Sequence, residues 1–161
     1  MKAYSDEYWM RLALEEAEKA FQEDEVPVGA VIIRDEKIVA SAHNSTESSK
    51  DGLAHAEKCA IELAQKKVGK WLSGCTLYVT LEPCTMCAGA IVLSRIDKVV
   101  FGASDEKNGA CGSLYNILYD RRLNHNPELK SGVMARECSA ILKEFFQKKR
   151  ANKNGEVSEL A

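Results

Sequence analysis

His55 and Glu57, on either side of Ala56, and Cys84 and Cys87, on either side of Thr85-Met86, bring one imidazole, two thiols and a spare carboxylate into two short stretches of the chain. That set suits a hydrolytic zinc centre. Three protein ligands, here His55, Cys84 and Cys87, leave the fourth tetrahedral position of a Zn²⁺ ion open to water. Zn²⁺ with two thiolates and a neutral imidazole is formally neutral. It should acidify water less than an all-histidine site, where the water pKa is about 7. A nearby base is then needed, and Glu57 is the acid adjacent to the motif. Two residues beyond His55, it points differently from the imidazole. Glu57 is therefore expected to take a proton from the attacking water and deliver it to the substrate and leaving group.

Pro83 has no backbone donor and fits the first position of a helix. Cys84 and Cys87 then fall three apart in its first turn, where free N–H groups and the positive end of the dipole favour thiolates. His55 opens a second helix, so two helix starts can face each other across the metal. A lone C-x-x-C can also be a redox pair or half of a structural zinc site. A structural site needs a fourth ligand from Cys59, Cys75, Cys111, Cys138, His43 or His125, and none of these forms a second C-x-x-C or H-x₃₋₅-H unit. H-x-E followed by P-C-x-x-C is the pattern of zinc nucleobase deaminases.

The elements that must position these residues follow from periodicity. Residues 5–24 read as a helix, with Asp6 and Glu7 in its first turn and Trp9, Leu12, Ala13, Ala17, Ala20 and Phe21 at three- and four-residue steps. Residues 28–33 and 38–42 read as strands around a 34–37 turn, and the Ser-rich stretch 44–52 as a loop. Residues 54–65 read as a helix, and 76–81 as a strand covered on both faces. A helix over 84–94 and a strand over 98–103 follow. The Gly-rich polar stretch 104–113 reads as a long functional loop. A short strand at 128–130 and a helix around Cys138, Ile141, Leu142, Phe145 and Phe146 complete the order, which implies one mixed sheet between helices. The reading is a single zinc domain over 1–151 with a flexible tail over 152–161. The 84–94 helix is apolar on nearly every side, which predicts a two-fold dimer interface near the metal.

A chain of 161 residues, 45% of them hydrophobic, can bury one sizeable core. The net charge of −2 does not announce a nucleic-acid binder, but its distribution is uneven. Acids crowd the first helix, whereas Lys143, Lys148, Lys149, Arg150 and Lys153 make the last one basic. No apolar secretory segment follows Met1 and no run of about 18 apolar residues could span a bilayer. These features predict a cytoplasmic protein, not associated with membranes, whose six cysteines are ligands or buried thiols rather than disulfides.

Beyond the metal motif, the chain resembles the bacterial tRNA-specific adenosine deaminases (the TadA family), within the cytidine deaminase-like superfamily. The resemblance rests on Glu7-Tyr8-Trp9-Met10, on Glu25-Val26-Pro27-Val28-Gly29-Ala30-Val31, and on the run from Thr76 through Glu82-Pro83-Cys84 to Met86-Cys87-Ala88-Gly89-Ala90. Ser94-Arg95-Ile96, Val100-Phe101-Gly102-Ala103, Gly112-Ser113-Leu114 and Asn124-His125 extend it over about residues 7–150. It implies a three-layer α/β/α fold with a five-stranded mixed sheet, a homodimer with one Zn²⁺ per subunit, and conversion of adenosine to inosine at the wobble position of a tRNA anticodon. A deaminase of free guanine, cytosine or a nucleoside such as cytidine, built on the same zinc site, is the alternative.

The resemblance also implies individual roles. His55, Cys84 and Cys87 carry over as ligands and Glu57 as proton carrier. Asn44 matches an asparagine that contacts the target base, although an asparagine at a strand end also caps turns. Val28 and Leu81 are implied to line the base pocket, and they also suit plain strand core. Asp105 and Lys107 match positions that approach the anticodon backbone. Arg150 is a candidate phosphate contact. Solvated charge is the alternative reading of all three. The chain departs from the family pattern at Gly52-Leu53, where Pro-Thr is common, and at Asn126, where an arginine often stands.

Overall fold

A computed structural model of the chain describes residues 3–159; Met1, Lys2, Leu160 and Ala161 lie outside the described residues. Helix α1 (Asp6–Gln22) starts where the Ser5 hydroxyl accepts the Tyr8 N–H at 3.1 Å. Strands β1 (Gly29–Arg34) and β2 (Lys37–His43) follow, then a one-turn helix α2 (Thr46–Ser49) and helix α3 (Ala56–Val68). Strand β3 (Thr76–Leu81), helix α4 (Thr85–Ser94) and strand β4 (Lys98–Ala103) form the centre. A 3₁₀ turn over Ile117–Tyr119, strand β5 (Glu128–Lys130) and helix α5 (Ala135–Glu159) complete the chain.

The five strands form one mixed sheet in the order β2-β1-β3-β4-β5. β1 is antiparallel to both β2 and β3, while β3, β4 and β5 are parallel. Side-chain alternation sorts each strand between two cores. Ala30, Ile32, Leu77, Val79, Val99 and Phe101 face the layer of α3 and α4. Val31, Ile33, Tyr78 and Val100 face Trp9, Met10 and Ala13 of α1 and Cys138 of α5. This is the three-layer α/β/α arrangement with a five-stranded mixed sheet. The layers approach closely at two glycines: a Cβ on Gly29 would collide with the α1 backbone at Ala13 and Ala17, and one on Gly102 would collide with Cys138 of α5.

Three elements differ from the expectation. The predicted 44–52 loop contains α2, because the buried Glu25 carboxylate accepts the N–H groups of Glu47 at 3.1 Å and Ser48 at 2.6 Å, the free donors of that turn. Helix α4 starts at Thr85 with Cys84 as its N-cap, so Pro83 precedes the helix instead of opening it. Helix α5 runs through 152–159, where a tail was expected, because no proline interrupts it and Lys153, Glu156 and Glu159 are good helix formers. Among the described residues no helix is long and apolar enough to cross a membrane.

Candidate functional site

The parallel strands β3 and β4 end on the same edge of the sheet, with Leu81 beside Ala103. In a sheet of this kind the ligand crevice lies outside the carboxyl ends of the strands. β1 runs antiparallel to β3 with Ala30 opposite Val79, so extending that register by two residues sets Val28 opposite Leu81. The N–H of Asn44, just past the end of β2, reaches the Val28 carbonyl at 3.0 Å. Helices α3 and α4 also start at this edge, with His55 and Cys84 as their N-caps. Topology thus gathers residues from five elements into one place.

His55, Cys84 and Cys87 present their ligand atoms within 4.8 Å of one another. His55 turns Nδ1 toward both sulfurs, 3.5 Å from Cys84 Sγ and 3.6 Å from Cys87 Sγ. A zinc ion with Zn–N of about 2.0–2.1 Å and Zn–S of about 2.3 Å at tetrahedral angles puts N and S about 3.5–3.6 Å apart. The donor set and its two N–S spacings fit zinc. A Cys87 hydrogen bond and the His55 ring pull the Cys84 thiol down to about 4, so it carries the negative charge. The proton on Cys87 is correspondingly held, since its hydrogen bond to Cys84 and its burial both push that thiol up. Its hydrogen bond to the Cys84 thiolate pushes the His55 imidazole up despite its burial.

Glu57 occupies the second position of α3 and is 4% exposed. Burial pushes its carboxyl up to about 7, against its own backbone N–H and a hydrogen bond with Cys87. It lies against the ligands without being one of the three converging donors. Asn44 is buried, yet among the described residues none hydrogen-bonds its side chain; only its backbone N–H is bonded, to Val28. An amide kept free at the mouth of a crevice is available to a ligand. Val28 is buried and Leu81 half-buried at the same edge.

The other predicted residues lie further out. Asp105 Oδ1 accepts the N–H groups of Lys107 and Asn108, each at 3.1 Å, so this carboxylate shapes its own loop. Lys107 is exposed. Arg150 is exposed on α5, in the layer opposite α3 and α4; its neighbour Lys149 meets Asp24 at 2.8 Å, three residues ahead of Pro27. The two departures from the family pattern have local effects. Leu53 is 55% exposed two residues before His55. Asn126 donates to the carbonyls of Leu118 at 3.0 Å and Asp120 at 2.9 Å, so it pins the segment after the 3₁₀ turn.

Sequence reasoning missed two acids. Glu25 is fully buried and holds α2. Glu82 is 3% exposed and accepts hydrogen bonds from the N–H groups of Asp105, Cys111 and Ser113 and from the Ser113 hydroxyl. Burial pushes the Glu82 carboxyl up, but these donors outweigh it and hold it below its ordinary value. One signal was available: an acid directly following an apolar strand and directly preceding the ligand strap.

A family model described as MafB19-like deaminase matches residues 4–150. The tRNA-specific adenosine deaminase of Bacillus subtilis (strain 168) is 51% identical over 149 residues, covering 92% of each chain. That of Aquifex aeolicus (strain VF5) is 50% identical over 91% of this chain and 97% of its own. A structure solved in a study of A-to-I editing by tRNA:A34 deaminases at the wobble position of transfer RNA superposes with a TM-score of 0.81. It is 42% identical and covers 84% of this chain and 99% of that one.

Proposed function

The chain belongs to the tRNA-specific adenosine deaminases within the MafB19-like deaminase family, and we propose that it converts adenosine to inosine at the wobble position of a tRNA anticodon. The observation that carries this reading is the convergence of His55, Cys84 and Cys87, with the buried Glu57 against them, in a chain so similar to these enzymes. The fold is cytidine deaminase-like, as in the tRNA deaminase neighbour.

His55 Nδ1, Cys84 Sγ and Cys87 Sγ hold one Zn²⁺ per subunit in this reading. The metal, when bound, supplies a Lewis acid that makes water a competent nucleophile. Glu57 takes one proton from that water and delivers it to N1 of adenine as the oxygen adds to C6. It then carries the second proton to the departing amino group. The C6–N6 bond breaks, ammonia leaves, and C6 keeps the oxygen as the carbonyl of inosine. Asn44 holds the base edge with its free amide, and Val28 and Leu81 wall the pocket. Asp105 orders the loop that carries Lys107 to the backbone, and Arg150 supplies a more distant phosphate contact.

The reading includes a cytoplasmic homodimer. Met86, Gly89, Ala90 and Leu93 recur at three- and four-residue steps on α4 and are exposed or half-buried. An apolar stripe of this kind is what a two-fold partner covers. Incubation of the zinc-loaded protein with total tRNA, followed by sequencing, should reveal A-to-G changes at anticodon position 34. Parallel incubation with free adenosine, guanine, cytosine and cytidine should release no ammonia. Ammonia from a free base or nucleoside, with unedited tRNA, would favour a small-molecule deaminase instead.

A further inference from the structure

The 104–113 loop folds around a single carboxylate. Glu82 Oε1 accepts the Asp105 N–H at 3.1 Å and the Ser113 hydroxyl at 2.5 Å. Glu82 Oε2 accepts the N–H groups of Cys111 and Ser113, each at 3.1 Å. The two ends of the loop, at Asp105 and Ser113, thus converge on one side chain that lies 23 and 31 residues before them in sequence. The middle of the loop closes on it too: a Cβ on Gly109 would collide with the Glu82 carboxylate and the Asp105 carbonyl. All four groups facing Glu82 are donors, which only an acceptor-only side chain satisfies fully.

The same short stretch continues into the ligands. The Pro83 carbonyl accepts the Ala110 N–H at 2.9 Å, and Cys84 bridges to Gly109. Residues 82, 83 and 84 therefore grip the loop at three successive points, and the last is a ligand to the metal in the proposed function. The loop cannot shift relative to the ligand strap without breaking hydrogen bonds to a buried carboxylate. The exposed tip carries Lys107.

We propose that Glu82 is a positioning residue for polynucleotide substrates: it registers the 104–113 loop, and with it Lys107, against the metal strap. Its contribution is to keep the loop in the RNA-competent arrangement before substrate arrives. This rests on the anticodon reading above. If loss of Glu82 leaves the loop competent about a tenth of the time, apparent affinity falls about tenfold, because affinity scales with the competent fraction.

The test compares zinc-loaded wild type, Glu82→Gln and the milder Ser113→Ala on an anticodon stem-loop, with zinc content measured for each. Glu82→Gln sets an amide NH₂ against the two donors that face one of the carboxylate oxygens, and Ser113→Ala removes one of the four. We expect KM to rise about tenfold in Glu82→Gln and by less in Ser113→Ala, with kcat falling less than KM rises. Hydrogen exchange at the Asp105, Cys111 and Ser113 amides should quicken in Glu82→Gln while β3 stays protected. Unchanged KM and unchanged loop exchange in zinc-loaded Glu82→Gln would overturn the assignment. So would zinc loss with an unaltered loop, which would make Glu82 a prop for the ligands alone. If wild type leaves the stem-loop unedited, the substrate reading fails, and the exchange data still report whether Glu82 orders the loop.

Discussion

His55 Nδ1 lies 3.5 Å from Cys84 Sγ, and each of these residues is the N-cap of its own helix. Neither side chain caps its helix by a hydrogen bond. An N-cap residue has extended backbone angles, so its side chain can turn away from the helix that follows. Here two such residues, from helices packed on the same face of the sheet, turn toward one another. The free N–H groups of α4 and its dipole favour the thiolate at Cys84. Cys87, three residues into α4, completes the triangle from the same helix.

Glu57→Gln should retain zinc and lose turnover, because an amide of the same shape cannot accept and release the proton. Loss of general acid–base catalysis costs about 10² to 10⁴ in rate, and one group here serves several proton steps. Cys87→Ala should behave oppositely, losing metal and activity together, since two protein ligands remain. Metal analysis beside single-turnover assays separates the two; zinc-free Glu57→Gln would assign Glu57 to the ligands.

Asn44→Ala should cut kcat/KM on the stem-loop by roughly 10- to 100-fold, the cost of a polar contact missing from a buried substrate edge. Stability should change little, because the Asn44 side chain has no partner among the described residues and its backbone bond to Val28 survives the substitution. Steady-state kinetics and a thermal melt check both halves. A large drop in Tm with normal kcat/KM in the folded fraction would make Asn44 a structural residue.

Much of this was legible because the decisive signals are local. β3, β4 and β5 fall at residues 76–81, 98–103 and 128–130, as the β-prone runs predict. His55, Glu57, Cys84 and Cys87 lie in two tight motifs, and secondary structure alone dictates that each motif opens a helix. What was not legible depends on distant partners. Glu25 makes a helix of Thr46–Ser49 from more than twenty residues away, and Glu82 closes a loop ending at Ser113. No local window contains both members of either pair. The start of α4 at Thr85 is illegible for a related reason: cysteine is not an ordinary cap, and its use as one goes with its place beside His55 and Cys87.

His43 should make stability pH-dependent. Its Nδ1 meets Glu16 at 2.7 Å and its Nε2 meets Glu23 at 2.9 Å. Burial pulls its pKa down, but the two carboxylates outweigh it and raise it above its ordinary value. A raised folded pKa gives stability that is full below the unfolded value, about 6.5, and is lost as pH rises through the folded value. The Tm advantage of wild type over His43→Gln should therefore be largest near about pH 6 and shrink toward about pH 9. An advantage that grows with pH would show that the imidazolium is not what ties β2 to α1.

Leu93→Glu should yield a folded monomer. Leu93 is 76% exposed at the end of the stripe begun by Met86, so a charge there costs the isolated subunit almost nothing. In a two-fold interface the same charge is buried twice and faces its own copy across the axis. Sedimentation equilibrium at micromolar concentration should give a dimer for wild type and a monomer for the variant, with matching circular dichroism. A monomeric wild type would refute the interface.

Deamination of the stem-loop should weaken steeply with salt. A base inside an anticodon loop is already partly splayed, so the main task left to the protein is to hold the flanking nucleotides through phosphates and sugars. Each phosphate contact adds a slope of about −0.7 to the logarithmic dependence of binding on salt for a single strand. Lys107 is exposed on the loop that Glu82 anchors and makes no side-chain ion pair among the described residues, so its ammonium is free for such a contact. Lys107→Ala should then reduce the slope of log(kcat/KM) against log salt by roughly 0.7. It should raise KM more than it lowers kcat, because the charge positions the strand and takes no part in proton transfer. Kinetics at four or five salt concentrations measure both quantities. An unchanged slope with a lowered kcat would move Lys107 from the RNA backbone to the ordering of the active site.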